Sequence, residues 1–106
     1  MIAFEGLIHD VHARRSFAGR ITVDDGRIVS IVEDPAADTS RSILPGFVDA
    51  HVHIESSMLI PSEFARLAVV HGTVATVSDP HEIGNVNGIE GVRYMLDNAS
   101  RVPFTI

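Results

Sequence analysis

The chain has 106 residues, a formal net charge of -6 and no cysteine. This length suits one small domain or a piece of a larger protein. The absence of cysteine excludes disulfides and thiolate ligands, so any metal ion would be bound by nitrogen and oxygen atoms. The negative net charge argues against nucleic acid as a partner. No apolar run approaches the roughly 20 residues that a membrane span requires. Since the N-terminus has no secretory signal pattern, we expect a cytoplasmic protein without a membrane partner.

The first 41 residues are predicted to form a portion of a small β-domain. Apolar and polar residues alternate over 20–23 and 27–32, as in strands with one buried face. The intervening Asp24-Asp25-Gly26 favours a hairpin turn, because Asp-Gly accepts the positive φ angles that such turns need. Residues 33–40 contain few apolar side chains and are predicted to be a loop, which places the domain boundary after residue 41.

Residues 42–106 have a different pattern, in which strands alternate with helices. We predict strands over 42–54 and 73–78, helices over 61–71 and 87–98, and the opening of a third strand over 102–106. This β-α-β-α order is typical of a parallel sheet or barrel. The predicted fold is therefore α/β, with a small N-terminal β-strand region followed by the first two β-α units of an incomplete (β/α)₈ barrel.

Capping signals support both predicted helices. Pro61 suits the first helical position, and Gly72 suits the residue that follows a helix. Asn87 and Glu90 have the spacing of a variant capping box. The predicted apolar face of the second helix consists of Ile89, Val92 and Leu96.

The first strand of the second region ends in two histidines with the spacing of metal ligands. Alternate side chains of a strand share a face, so Asp49, His51 and His53 point one way, and Val48 and Ala50 point towards the helices of a barrel. The two histidines would be about 7 Å apart at Cα, near enough for both imidazoles to reach one ion. The alternative is a pair of hydrogen-bonded or exposed histidines. Their position favours a metal site, because barrel active sites lie at the carboxyl ends of strands.

A second group of polar side chains follows the second predicted strand, at the same end of the sheet. Asp79, His81 and Glu82 can each bind a metal or transfer a proton. The alternative is an Asp-Pro turn at Asp79 and a helix cap at Glu82. In the loop after the first strand, the segment Glu55-Ser56-Ser57 is expected either to contact a substrate or to cap a helix.

The run LPGFVDAHVH, residues 44–53, resembles the first barrel strand of the amidohydrolase superfamily, whose two histidines bind metal. Two longer motifs narrow this resemblance. HVHIESSML at 51–59 and DPHEI at 79–83 are closely similar to segments of the adenine deaminases of that superfamily. In addition, DGRIV at 25–29 resembles the small β-domain that precedes the barrel in such enzymes.

The resemblance implies metal-dependent hydrolysis of adenine to hypoxanthine and ammonia. Water activated by the ion would attack the ring carbon that bears the amino group, while a carboxylate transfers protons to the leaving ammonia. The implied cofactor is a divalent metal, with manganese expected and iron or zinc as alternatives. The implied roles are metal ligation by His51 and His53, catalysis by Glu82 and Asp79, and substrate contact by His81, Glu55 and Ser57.

The length of the chain limits what it is expected to do alone. A (β/α)₈ barrel needs about 250 residues, so we expect these residues to be an N-terminal fragment, inactive without the ligands of later strands. The open sheet edge favours a homo-oligomer. Two alternatives remain open: an amidohydrolase acting on a cyclic amide or another purine, and a non-catalytic module for assembly or metal binding.

Overall fold

The structure, a computed structural model, describes residues 1–106 and divides into two compact units, Met1–Pro45 and Gly46–Ile106. The elements in chain order are β1 (Ile2–Asp10), β2 (Arg15–Asp24), β3 (Arg27–Glu33), β4 (Ser42–Ile43), β5 (Phe47–Val52), a 3-10 turn (Glu55–Ser57), α1 (Pro61–Val69), β6 (Thr73–Ser78) and α2 (His81–Ala99). Neither helix combines the length and apolarity that crossing a membrane requires.

The first unit is a four-stranded sheet in the order β3-β2-β1-β4. The antiparallel strands β2 and β3 are joined by the predicted hairpin turn, in which Asp25 and Gly26 have φ angles of 46° and 72°. This positive φ at both central positions is the conformation that Asp-Gly favours. Ile8, Ile21 and Ala37 are the buried apolar residues of the unit.

The single strand predicted over 42–54 is wrong, because the structure contains two strands there. β4 pairs in parallel with β1, whereas β5 pairs in parallel with β6. Pro45 lies between them and has no N–H group to donate to a sheet, so a continuous ladder cannot pass through it. The next residue, Gly46, allows a close approach, since a Cβ there would lie 2.5 Å from the side chain of Val74.

The second unit begins with the predicted β-α-β order. The helix α1 ends at Val69, two residues before the predicted end at His71, and Gly72 follows with a φ of 90°. The predicted third strand appears as one parallel bridge, in which the Thr76 N–H donates to the Thr105 carbonyl at 2.8 Å. The buried residues of this unit include Ile54, Pro61, Ala65, Met95 and Phe104.

Two predictions about buried faces in the second unit are wrong, whereas the helix predicted over 87–98 is present. The helix α2, His81–Ala99, consists of two helical segments joined across a kink at Gly88, where φ is 61° and ψ is -153°, so its second segment begins close to the predicted start at Asn87. Its buried residues are Gly91, Met95 and Asn98, whereas Ile89 and Leu96 of the predicted apolar face are 62% and 60% exposed. The strand side chains expected to face helices, Val48 and Ala50, are also exposed.

Candidate metal and catalytic site

Polar side chains from four neighbouring segments of the second unit converge at the carboxyl ends of β5 and β6. His51 lies near the end of β5 and His53 directly follows it, while Asp79 follows β6 and His81 opens α2. The two strands run parallel, so their carboxyl ends lie at the same edge of the sheet. The polar side chains predicted from the sequence therefore lie together because the two strands run in the same direction.

The two histidines of the first motif turn their rings towards a common point. Nε2 of His51 lies 3.0 Å from Nε2 of His53, and the ring centroids are 4.8 Å apart. Two nitrogens that each lie about 2.1 Å from one ion, at a right angle, are separated by about 3.0 Å. The pair therefore has the spacing of adjacent ligands of one cation.

Asp79 orients two of the histidines through two different groups. Its backbone carbonyl lies 3.1 Å from Nδ1 of His53, and its carboxylate oxygen Oδ2 lies 3.0 Å from Nδ1 of His81. A carbonyl or carboxylate oxygen only accepts, so both Nδ1 atoms carry the hydrogen. Each ring consequently presents the lone pair of Nε2, which is the tautomer that binds a metal ion.

Glu82 completes a cluster with two of these rings. One donor atom each from His53, His81 and Glu82 lie within 4.8 Å of one another, and the His53 and His81 ring centroids are 4.7 Å apart. The Glu82 carboxylate is exposed and accepts a hydrogen bond from the Ser56 hydroxyl, which lies 2.7 Å from Oε1 and 2.9 Å from Oε2. An accessible carboxylate beside two oriented imidazoles can bind a cation or exchange a proton.

Glu55 and Ser57, the predicted substrate contacts in the 3-10 turn, bond to the backbone of the chain itself. Oε1 of Glu55 accepts from the Ile83 N–H at 3.4 Å, near the start of α2, where Pro80 offers no side-chain cap. Oε2 of Glu55 is buried and has no partner. The Ser57 hydroxyl donates to the Ile54 carbonyl at 2.6 Å. Their roles as substrate contacts stay predictions; in this conformation Ser57 closes the turn and Glu55 links the turn to the start of α2.

Sequence reasoning did not select Ser56 as a site residue, although it considered the whole segment Glu55-Ser56-Ser57. No local signal distinguishes Ser56 from Ser57. Successive residues of a 3-10 turn point in directions about 120° apart, so the serine that faces Glu82 is decided by how the turn packs against α2. Asp49, expected to share a face with the histidines, accepts from the His51 backbone N–H at 3.1 Å.

Comparison with known proteins gives a consistent result. Residues 42–106 match the model of the Amidohydrolase family. The chain is 56% identical, over its full 106 residues, to a protein of Methanosarcina barkeri named adenine deaminase. It is 65% identical over 96 residues to one of Sulfurovum sp. and 54% identical over 97 residues to one of Borreliella afzelii, which carry the same name. The chain spans about a fifth of the length of these relatives, between 18% and 19%.

Proposed function

The chain belongs to the amidohydrolase family, and from this premise we propose that it forms a metal-binding part of an enzyme that hydrolyses adenine to hypoxanthine and ammonia. The observation that carries the proposal is the convergence of His51, His53, His81 and Glu82 at one end of the parallel strands. The names of the relatives, all adenine deaminases, support adenine as the substrate.

The residues present fit a divalent cation. His51 and His53 would hold it through Nε2, since their 3.0 Å separation matches adjacent ligands of one ion. His81 and Glu82 each place one ligand atom within 4.8 Å of a ring nitrogen of His53, so both lie beside the candidate metal site. Imidazole and carboxylate without any thiolate suit manganese, iron or zinc, and manganese is the metal that we propose. A divalent ion held by these residues would supply a water nucleophile near neutral pH, because a bound cation lowers the pKa of water.

Glu82 is the group that we assign to proton transfer. In the overall reaction, water adds to the ring carbon that bears the amino group, the bond from this carbon to the amino nitrogen breaks, and ammonia leaves. The water must lose a proton and the amino group must gain one, and a single carboxylate can perform both transfers in turn. Glu82 suits this role because its carboxylate is exposed beside the histidine cluster and has no arginine partner within 4.0 Å.

Asp79 is assigned a supporting role in this mechanism. Its backbone carbonyl fixes the tautomer of His53, and its carboxylate fixes the tautomer of His81 by accepting a hydrogen bond. The role differs from the direct catalytic one that the resemblance implied. A cytoplasmic location and self-association through the open strand edges belong to the same proposal.

The proposal is tested with the complete gene product that contains these residues, loaded with manganese. Ammonia release is measured with adenine, another purine and a cyclic amide. We expect turnover of adenine, and Glu82→Gln should lower kcat by roughly 100-fold to 10,000-fold, since general acid-base catalysis contributes that much. Glu90→Gln is the matched control, because Glu90 lies on the same helix and bonds Arg93. Turnover of the cyclic amide without turnover of adenine would contradict the proposal.

A further inference from the structure

The Ser56 hydroxyl is the side-chain group that bonds the Glu82 carboxylate. It lies within hydrogen-bond distance of both carboxylate oxygens, at 2.7 Å and 2.9 Å. The hydroxyl hydrogen can be donated to either carboxylate oxygen, and either hydrogen bond holds the Glu82 carboxylate in the same position. Hydrogen bonds to a charged acceptor are stronger than those between neutral groups.

The segment that carries Ser56 is itself held in place on both sides. Ile54, before the turn, is 0% exposed and anchors the segment in the apolar interior of the unit. Glu55 bonds the backbone N–H of Ile83, the residue that follows Glu82. Ser57 closes the turn by its bond to the Ile54 carbonyl. Ser56 is therefore presented to Glu82 from a fixed turn that also contacts the start of α2.

Without Ser56, the Glu82 side chain would have few restraints. Glutamate has three rotatable side-chain bonds and loses considerable rotamer entropy when it is fixed. Glu82 is exposed in this unit and forms no ion pair. A proton-transferring group works only when it is held within hydrogen-bond reach of the reacting atoms.

We infer that Ser56 is a positioning residue that holds the Glu82 carboxylate in the orientation needed for proton transfer. The inference rests on the proposed function, because it assigns Ser56 an effect on the same reaction. It also makes a structural claim that does not depend on activity: removal of the Ser56 hydroxyl should release the Glu82 side chain from its position.

The experiment compares Ser56→Ala, Ser56→Thr and the control Ser100→Ala in the complete, manganese-loaded gene product. Ser56→Ala should lower kcat for adenine about tenfold while leaving KM within about twofold, as expected for loss of one hydrogen bond to a charged group. Ser56→Thr keeps the hydroxyl and should restore kcat. Ser100→Ala, the matched control, should leave kcat near the wild-type value, because Ser100 is an exposed serine at the end of α2 whose hydroxyl donates to the Asp97 carbonyl. Ser56 is exposed, so its substitution should not unfold the protein.

A double substitution isolates the coupling to Glu82. In the Glu82→Gln background, Ser56→Ala should have little further effect on kcat, because the group that Ser56 positions is already removed. A full tenfold loss in that background, or no loss in the wild-type background, would overturn the inference.

Crystal structures provide the readout that separates this inference from the proposed function. The Glu82 carboxylate should occupy one position beside Ser56 in the wild-type protein and should move or become spread over several rotamers in Ser56→Ala. An unchanged Glu82 position would overturn the inference even in an active enzyme. If the wild-type protein does not turn over adenine, the proposed function fails, and the Glu82 position still decides whether Ser56 holds this carboxylate.

Discussion

The two units of the chain differ in the partners of their carboxylates. In Met1–Pro45, Arg20 donates to Glu5 and lies 4.0 Å from Asp34. The pKa of Asp38 is lowered by hydrogen bonds from the backbone N–H and then the hydroxyl of Ser40. Glu5 and Asp34 of the first unit therefore share a permanently charged arginine partner, whereas Asp38 is bonded by a serine.

In Gly46–Ile106, the carboxylates near the strand ends have weaker and more exchangeable partners. Asp79 bonds an imidazole and Glu82 bonds a hydroxyl, and neither has an arginine within 4.0 Å. Arginine stays charged at all working pH values and occupies a carboxylate permanently, whereas neutral histidine and serine leave its negative charge available to a cation. The comparison therefore separates carboxylates that stabilise a sheet from carboxylates that are available for chemistry.

The strongest test of this difference is removal of a metal-ligand candidate. His53→Ala in the complete gene product should lower kcat/KM for adenine by more than about 100-fold, since even outer partners of metal ligands are worth 10-fold to 100-fold. It should also lower the bound manganese measured by elemental analysis. His12→Ala is the control, because His12 is an exposed histidine of the first unit. Full metal content and activity in His53→Ala would show that this histidine is not a ligand.

A smaller effect is expected when the carboxylate of Asp79 is removed. Asp79→Ala keeps the backbone carbonyl that bonds His53 but removes the oxygen that holds Nδ1 of His81. We expect a 10-fold to 100-fold loss of activity or metal affinity, the usual effect of removing a residue that hydrogen-bonds a metal ligand. Nitrogen NMR should then show that the His81 tautomer is no longer fixed. Asp97→Ala, an exposed position of α2, is the control. An unchanged His81 tautomer would contradict the assigned role of Asp79.

The sequence predicts that the site side chains lie together, because the rules that place them depend only on short stretches of the chain. His51 and His53 share a face through the period of a strand, and Asp79 follows the next parallel strand, so strand direction alone brings them to one edge. The hairpin at Asp25-Gly26 was predictable for the same reason, since its conformation depends on two adjacent residues.

The start of α2 could not be predicted from its neighbouring residues. Pro80 offers no side-chain cap, and the Ile83 N–H is bonded by Glu55, which lies 28 positions earlier in the chain. A contact between residues so far apart depends on the folded unit and leaves no local pattern. The choice between Ser56 and Ser57 likewise depends on how the 3-10 turn faces α2.

The smallest effect is expected in the first unit, at the ion pair between Arg20 and Glu5. Both side chains are well exposed, at 49% and 39%, so solvent screens their attraction. Arg20→Gln should lower the free energy of unfolding by about 0.2–1 kcal/mol, the range for surface pairs, and added salt should reduce the difference. A double-mutant cycle with Glu5→Gln, measured by urea unfolding, isolates the coupling. Arg93→Gln is the comparison variant, because its ion pair with Glu90 on α2 is more exposed, at 65% and 69%, and should therefore contribute less. Adenine turnover should not change in Arg20→Gln, because its carboxylate partners, Glu5 in β1 and Asp34 directly after β3, belong to the first unit and not to the strand ends of the second. A large loss of turnover would mean that the arginine-paired carboxylates also contribute to the reaction, and the distinction between the two units would fail.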